Sequence, residues 1–237
     1  MARYERNFLT EVSLKIEFEE EIKLNQDTID KDFKEILKER FPVAAFEKNM
    51  LKDGEYHGKM WIFQKRNKQI LLNESSIELV YYEDSYNCKE ELMEDVRQIY
   101  KVLKKNRIDD AKYIKLRFIN EIRPKNGKIE NLEEWINPQL INLDFKSENY
   151  KIIRAMSRFE YIIDEDFYLY FQFGQFNENY PLPHIYDNFI LDYEACIKYA
   201  DTRYLREEVS KMHGVIKKFF QDSIGDELIK EMGEMDG

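Results

Sequence analysis

The sequence predicts an α+β protein of two similar halves, each a curved antiparallel sheet with a long helix packed across one face. Three observations carry that expectation. Two-residue and 3.6-residue hydrophobic periods alternate along the chain. Two long amphipathic segments share a pattern, and the strand-like runs that open residues 1–108 and 109–237 also correspond. With 237 residues, 43% hydrophobic and 14% aromatic, and only 8 Gly and 5 Pro, the chain can bury a sizeable core.

The first element is Glu11 to Phe18, where strict alternation defines a strand with one buried face. Ile29, Phe33, Ile36, Leu37 and Phe41 then recur at helical spacing, and Pro42 stops that helix. Three extended runs follow: Val43 to Lys48, Met60 to Lys65, and Gln69 to Tyr82 with a break near Glu74. Gln64 to Lys68 reads as a hairpin tip. Leu92, Val96, Ile99 and Leu103 mark a second helix, its end rich in lysine and arginine as the helix dipole favours.

The second half opens with Ile114, Leu116 and Phe118 alternating against Lys115 and Arg117. An insertion from Pro124 to Leu143 holds a short helix near 131–141, with Asn131 as its expected cap. Extended runs at Lys151 to Ile163, Phe167 to Phe173 and Asp187 to Lys198 lead to a closing helix from Thr202. Asp164, Glu165 and Asp166 fall between two of these runs and read as a turn, since a calcium loop would add a glycine and a terminal glutamate. Leu92 to Lys105 aligns with Leu205 to Lys218 without a gap, six of fourteen positions being identical. This weak repeat suggests TATA-box-binding or helix-grip architecture, the two sheets joining through the opening strands at Val12 and Ile114 and leaving a broad groove on the side away from the long helices.

The bulk properties exclude several classes. The opening, MARYERNFLT, is too charged for the apolar stretch of a signal peptide, and no run of about 18 apolar residues occurs, which predicts a cytoplasmic protein with no membrane partner. Cys88 and Cys196 lie far apart without metal-ligand spacing. The net charge is −10, and two acidic segments, Glu17–Glu35 and Asp222–Asp236, account for all of it. That balance argues against loose, sequence-blind nucleic-acid binding. No cofactor is expected, because GxGxxG, GxxxxGK[ST], HExxH and GxSxG are all missing.

Three sets of residues could carry chemistry. Asp192 and Glu194 share one strand face and could hold a divalent cation; with His213 they would form a metal-assisted nuclease or hydrolase. A solvated strand face explains the two acids equally well. His213 borders the stripe Leu205, Val209, Met212, Ile216 and Phe219 of the closing helix, a margin where a histidine is commonly structural. Ser223 to Asp226 reads as a capping-box variant opening a last short helix. Finally, Tyr168 and Tyr170, with Arg154 and Arg158 on a neighbouring run, could form a stacking platform for bases or a partner, although a helix covering that face is the simpler explanation of tyrosines on a half-buried sheet.

The segments RY-x-NFL-x-EVSLKIEF, YIKLRFINEI, FILDYEACI and the final helix with its His, FF and I-x-DEL-x-x-MG resemble an uncharacterised, sporadically distributed prokaryotic family of about this length. Positions resembling Asn120, Asp192, His213, Phe220 and Met232–Gly233 recur in it. The resemblance implies a role in phage defence or in opposing it, and attaches no activity. The leading expectation is a non-catalytic binding module for a protein or nucleic-acid partner, as a monomer or homodimer. A metal-assisted hydrolase is the second reading, and an acidic inhibitor or immunity protein that mimics nucleic-acid charge is the third.

Overall fold

A computed structural model describes residues 3–4, 8–19, 30–50, 56–123, 131–141, 154–177, 179–182 and 188–235. The elements run β1 (Arg3–Tyr4), β2 (Leu9–Phe18), α1 (Asp30–Leu37), β3 (Val43–Met50), β4 (Tyr56–Lys65), β5 (Lys68–Leu72), β6 (Ser76–Tyr82) and α2 (Lys89–Lys105). They continue with β7 (Asp110–Ile122), α3 (Leu132–Trp135), α4 (Pro138–Ile141), β8 (Ala155–Asp164), β9 (Phe167–Gln175) and β10 (Phe189–Asp201). The last three are α5 (Leu205–Ser223), α6 (Asp226–Met232) and β11 (Glu234–Met235).

Nine strands form one antiparallel sheet in the order β3-β4-β5-β6-β2-β7-β10-β9-β8. This overturns the expectation of two halves, each with its own sheet and long helix, and the TATA-box-binding or helix-grip comparison falls with it. The physical reason is the seam at the centre. β2 and β7 pair along their lengths, Leu14 opposite Leu116 and Ile16 opposite Ile114, so hydrogen bonding passes without a break from one edge to the other. The long helices also join into one layer. Lys89 of α2 donates to the Ser210 hydroxyl of α5 at 2.7 Å. α2 and α5, alike in sequence, each cover part of the apolar sheet with one buried stripe.

Alternation decides which side each strand buries. Leu14, Ile70, Leu79, Leu116, Ala195 and Leu169 lie in register across six strands and are fully buried. They join one apolar cluster with the buried stripes of α2 (Leu92, Val96, Ile99, Leu103) and α5 (Leu205, Val209, Met212, Ile216). Phe33 and Leu37 of α1 and Leu228 and Met232 of α6 enter the same cluster. Residues of opposite parity, such as Lys15, Lys115, Arg117, Asp192, Glu194 and Tyr170, are not in it. All the helix contacts to this core therefore come from one side, and the other face of the sheet carries no described helix.

Local details follow from the same chemistry. The β5–β6 break sits at Asn73, whose side-chain oxygen accepts from the backbone amides of Ser75 and Ser76. Asn131 stands before α3, but its side-chain amide donates to Glu134 at 2.7 Å and does not cap the backbone. Ser223 is likewise no capping-box residue: its hydroxyl donates to the Phe219 carbonyl at 2.6 Å, and Gly225 takes the cap position of α6. A Cβ at Gly225 would lie 2.2 Å from the Glu134 carbonyl oxygen, so only glycine fits between α3 and α6. The Asp164–Asp166 turn is as expected, with the Glu165 amide donating to the Asp164 carboxylate.

Candidate partner-binding face

Cross-strand register brings together on the open face residues that are far apart in sequence. Arg117 of β7 donates to Asp192 of β10 through Nε at 2.8 Å and Nη2 at 2.6 Å, a two-pronged bond that fixes both side chains. That bond raises the Arg117 pKa further, so the guanidinium stays charged. Beside it, Lys115 lies 3.4 Å from Glu194. Asp192 and Glu194 thus share a face as their spacing predicts, but each is engaged by a cation of the neighbouring strand. His213 is on the other side of the sheet. No three metal-ligating side chains converge among the described residues.

The aromatic part of this face is built on β9. Tyr170 lies between Glu194 and Glu160 in register, and the Arg158 guanidinium sits 5.2 Å from its ring centroid. Tyr168 has Lys198 4.4 Å above its ring, and its hydroxyl donates to the Glu165 carbonyl at 3.2 Å. Arg158 also pairs with Glu160 at 3.3 Å. Three of the four residues expected to form a platform are therefore adjacent on one surface. Arg154, just before β8, instead stacks at 5.7 Å from Phe176 and 5.8 Å from Tyr180. Cys196 also belongs to this face, where burial pushes its thiol pKa up.

His213 packs edge-on against Phe118, with ring centroids 5.6 Å apart, and its Nε2 is 3.1 Å from the Tyr86 hydroxyl. Burial first, then the charges of Lys89 and Lys217, lower its pKa to about 4. The ring is neutral at pH 7 and shares a hydrogen bond with a phenol that burial also keeps protonated. It ties α5 to the segment leading into α2. Among the described residues no acidic side chain is hydrogen-bonded to it to orient it for proton transfer.

Sequence reasoning missed a second concentration of charge, beneath α2. Asp95 is fully buried and accepts from the Arg40 side chain, from Lys68 at 2.8 Å and from the Tyr81 hydroxyl at 2.5 Å. Lys68 also donates to Glu91 at 2.9 Å, and Asn87 donates to the same carboxylate at 2.9 Å. Burial, then the Asp95 charge, pushes the Tyr81 pKa far above its ordinary value, so the phenol stays a donor. Two cations and two carboxylates satisfy one another here, and the cluster fastens the turn after α1, two strands and α2 together. The signal was present. Lys68 shares strand parity with buried Ile70 and Leu72, and Asp95 lies on the apolar stripe of its helix.

The segment Glu17–Glu35, needed for a charge-mimicking surface, falls largely outside the described residues. No helix among the described residues is long and apolar enough to cross a membrane. No protein-family model matches the chain, and no curated protein matches it.

Proposed function

We propose that this chain is a non-catalytic binding module whose open sheet face takes a protein partner. The observation that carries this reading is the pairing of charge on that face: Arg117 with Asp192, Lys115 with Glu194, Arg158 with Glu160. A phosphate backbone would have to displace carboxylates from each of these cations, whereas a protein surface can meet mixed charge and half-buried tyrosine together. The hydrolase reading is not favoured, since Asp192 and Glu194 are held by cations and His213 lies across the sheet from them. The charged opening and the lack of a long apolar run in the sequence support a cytoplasmic setting, and the family resemblance implies a role in phage defence or its opposition.

Affinity capture from a prokaryotic lysate, comparing the native chain with the Arg117→Ala/Tyr170→Ala variant, tests this. A protein retained by the native chain and lost by the equally folded variant is the expected result. Tight, salt-sensitive binding of a single-stranded oligonucleotide would replace the protein partner with a nucleic acid. Equal retention by both chains would remove the open face as the site.

A further inference from the structure

The two edges of the sheet are built differently. Strand edges expose unpaired amides and carbonyls, and soluble proteins blunt them with lysine, proline, bulges or short length. The β3 edge carries Lys48 and an irregular register between Lys48 and Met50. β8 is the opposite edge and pairs only with β9 among the described residues. Its ten residues, AMSRFEYIID, contain no lysine, proline or glycine, and its one irregularity lies at the end, between Ile162 and Asp164.

Apolar side chains on this edge face solvent: Phe159 is 47% exposed and Ile162 77% exposed. The helix-side residues are nonetheless ordered, Phe159 stacking on Phe173 at 5.7 Å and Tyr161 meeting Phe219 of α5 at 5.0 Å. A rigid, extended, apolar edge of this kind is a template for another strand.

We propose that a second copy of this chain supplies that strand, β8 pairing antiparallel with β8 about a two-fold axis through Phe159. Symmetry limits the choices. A two-fold perpendicular to a continuous sheet must pass through a residue position, so that each side chain faces one on the same side of the sheet. An axis through Arg158 or Glu160 would place like charges directly opposite. The axis through Phe159 sets Arg158 against Glu160 of the other copy, twice, and Met156 against Ile162, also twice. On the helix side, Ser157 meets Tyr161 and the two Phe159 rings meet each other. The sequence of the strand is thus complementary to itself in charge on one face and in apolar character on both, and the contact joins two nine-stranded sheets into one.

Sedimentation equilibrium on the full chain and its variants tests the register. The native chain is expected to be a dimer. Arg158→Glu places four acids around the axis and Glu160→Arg four bases, and each should weaken the dimer about tenfold or more, because the altered contact occurs twice. Mixing these two variants should restore association between unlike chains. The acid introduced at 158 meets the base introduced at 160, and the reciprocal contact joins the untouched Glu160 and Arg158. The double variant Arg158→Glu/Glu160→Arg should likewise recover the native affinity. An axis through Ser157 would instead oppose Arg154 to Glu160, and the double variant would then stay weak. A monomeric native chain, single variants that dimerise as well as the native one, or a mixture that fails to recover would each overturn the proposal. Unchanged circular dichroism spectra and melting temperatures separate these outcomes from misfolding.

Discussion

The buried cluster around Asp95 and the ladder of ion pairs around Asp192 use the same residue types on opposite faces of one sheet. Beneath α2, Asp95 is fully enclosed and has three donors, two of them cationic. On the open face, Arg117 and Asp192 make an equally well-directed pair, but the arginine is 40% exposed. Burial sets what each is worth. An enclosed charge deprived of its partner cannot recover water, whereas a half-exposed one can. The first arrangement therefore fixes how the helices sit, and the second is free to be remade against a partner.

Breaking the buried side should have the largest effect. Asp95→Ala takes from Lys68 and Arg40 their enclosed counter-ion and leaves them only the partly exposed Glu91, and chemical denaturation should show a loss of about 3–5 kcal/mol.

The effect of pH through His213 comes next. Its folded pKa of about 4 lies below the ordinary 6.5, so between these values the unfolded chain binds a proton that the folded chain refuses. Stability is then flat above pH 6.5 for this group and falls as pH drops toward 4, by at most about 3 kcal/mol. His213→Phe should remove that part of the pH dependence, read as the difference between the two unfolding profiles. An unchanged profile would mean that the ring is open to water.

Tyr193 sharpens the contrast with Tyr81. Both are fully buried, yet Tyr81 donates to Asp95 while the Tyr193 hydroxyl has no partner among the described residues. Ser223 is its polar neighbour and, while donating to Phe219, keeps lone pairs turned to the phenol, yet the two hydroxyls do not close a well-formed hydrogen bond. Tyr193→Phe should therefore cost nothing and can gain up to about 1 kcal/mol, because an unsatisfied buried hydroxyl is removed and the 4.6 Å stack on Phe171 is kept. A loss on thermal unfolding would reveal a hydrogen bond after all.

The open face comes last. Arg117→Ala should cost about 1 kcal/mol, because truncating the 40% exposed arginine opens its partner Asp192, otherwise 12% exposed, to water, while capture of the partner is abolished. Loss of stability in step with loss of capture would make the ladder structural, and the contrast between the faces would vanish.

Short-range order was readable from the residues, and long-range register was not. Alternation located β2, β7 and β9, helical spacing located the stripe of α5, and the margin position of His213 was correctly placed beside it. Asp192 and Glu194 were rightly given one face. Their partners Arg117 and Lys115 lie on a strand some 75 residues earlier, and local sequence holds no record of that pairing. The likeness of the two opening strands did suggest a junction there, and β2 and β7 do pair, but local sequence did not show that this pairing merges the halves into one nine-stranded sheet. Asp95 was missed because acids on helices are ordinarily solvated, and its position on the apolar stripe was outweighed by the charges around it.

The central seam also governs how the molecule is made. The middle of the sheet is contributed by Leu9–Phe18 and its partner Ala111–Asn120, so β2 must wait for a segment synthesised about a hundred residues later. At ordinary elongation rates that interval is on the order of ten seconds. Until it ends, β2 has one side unsealed, and the nascent chain carries a sticky margin of its own in the crowded exit environment.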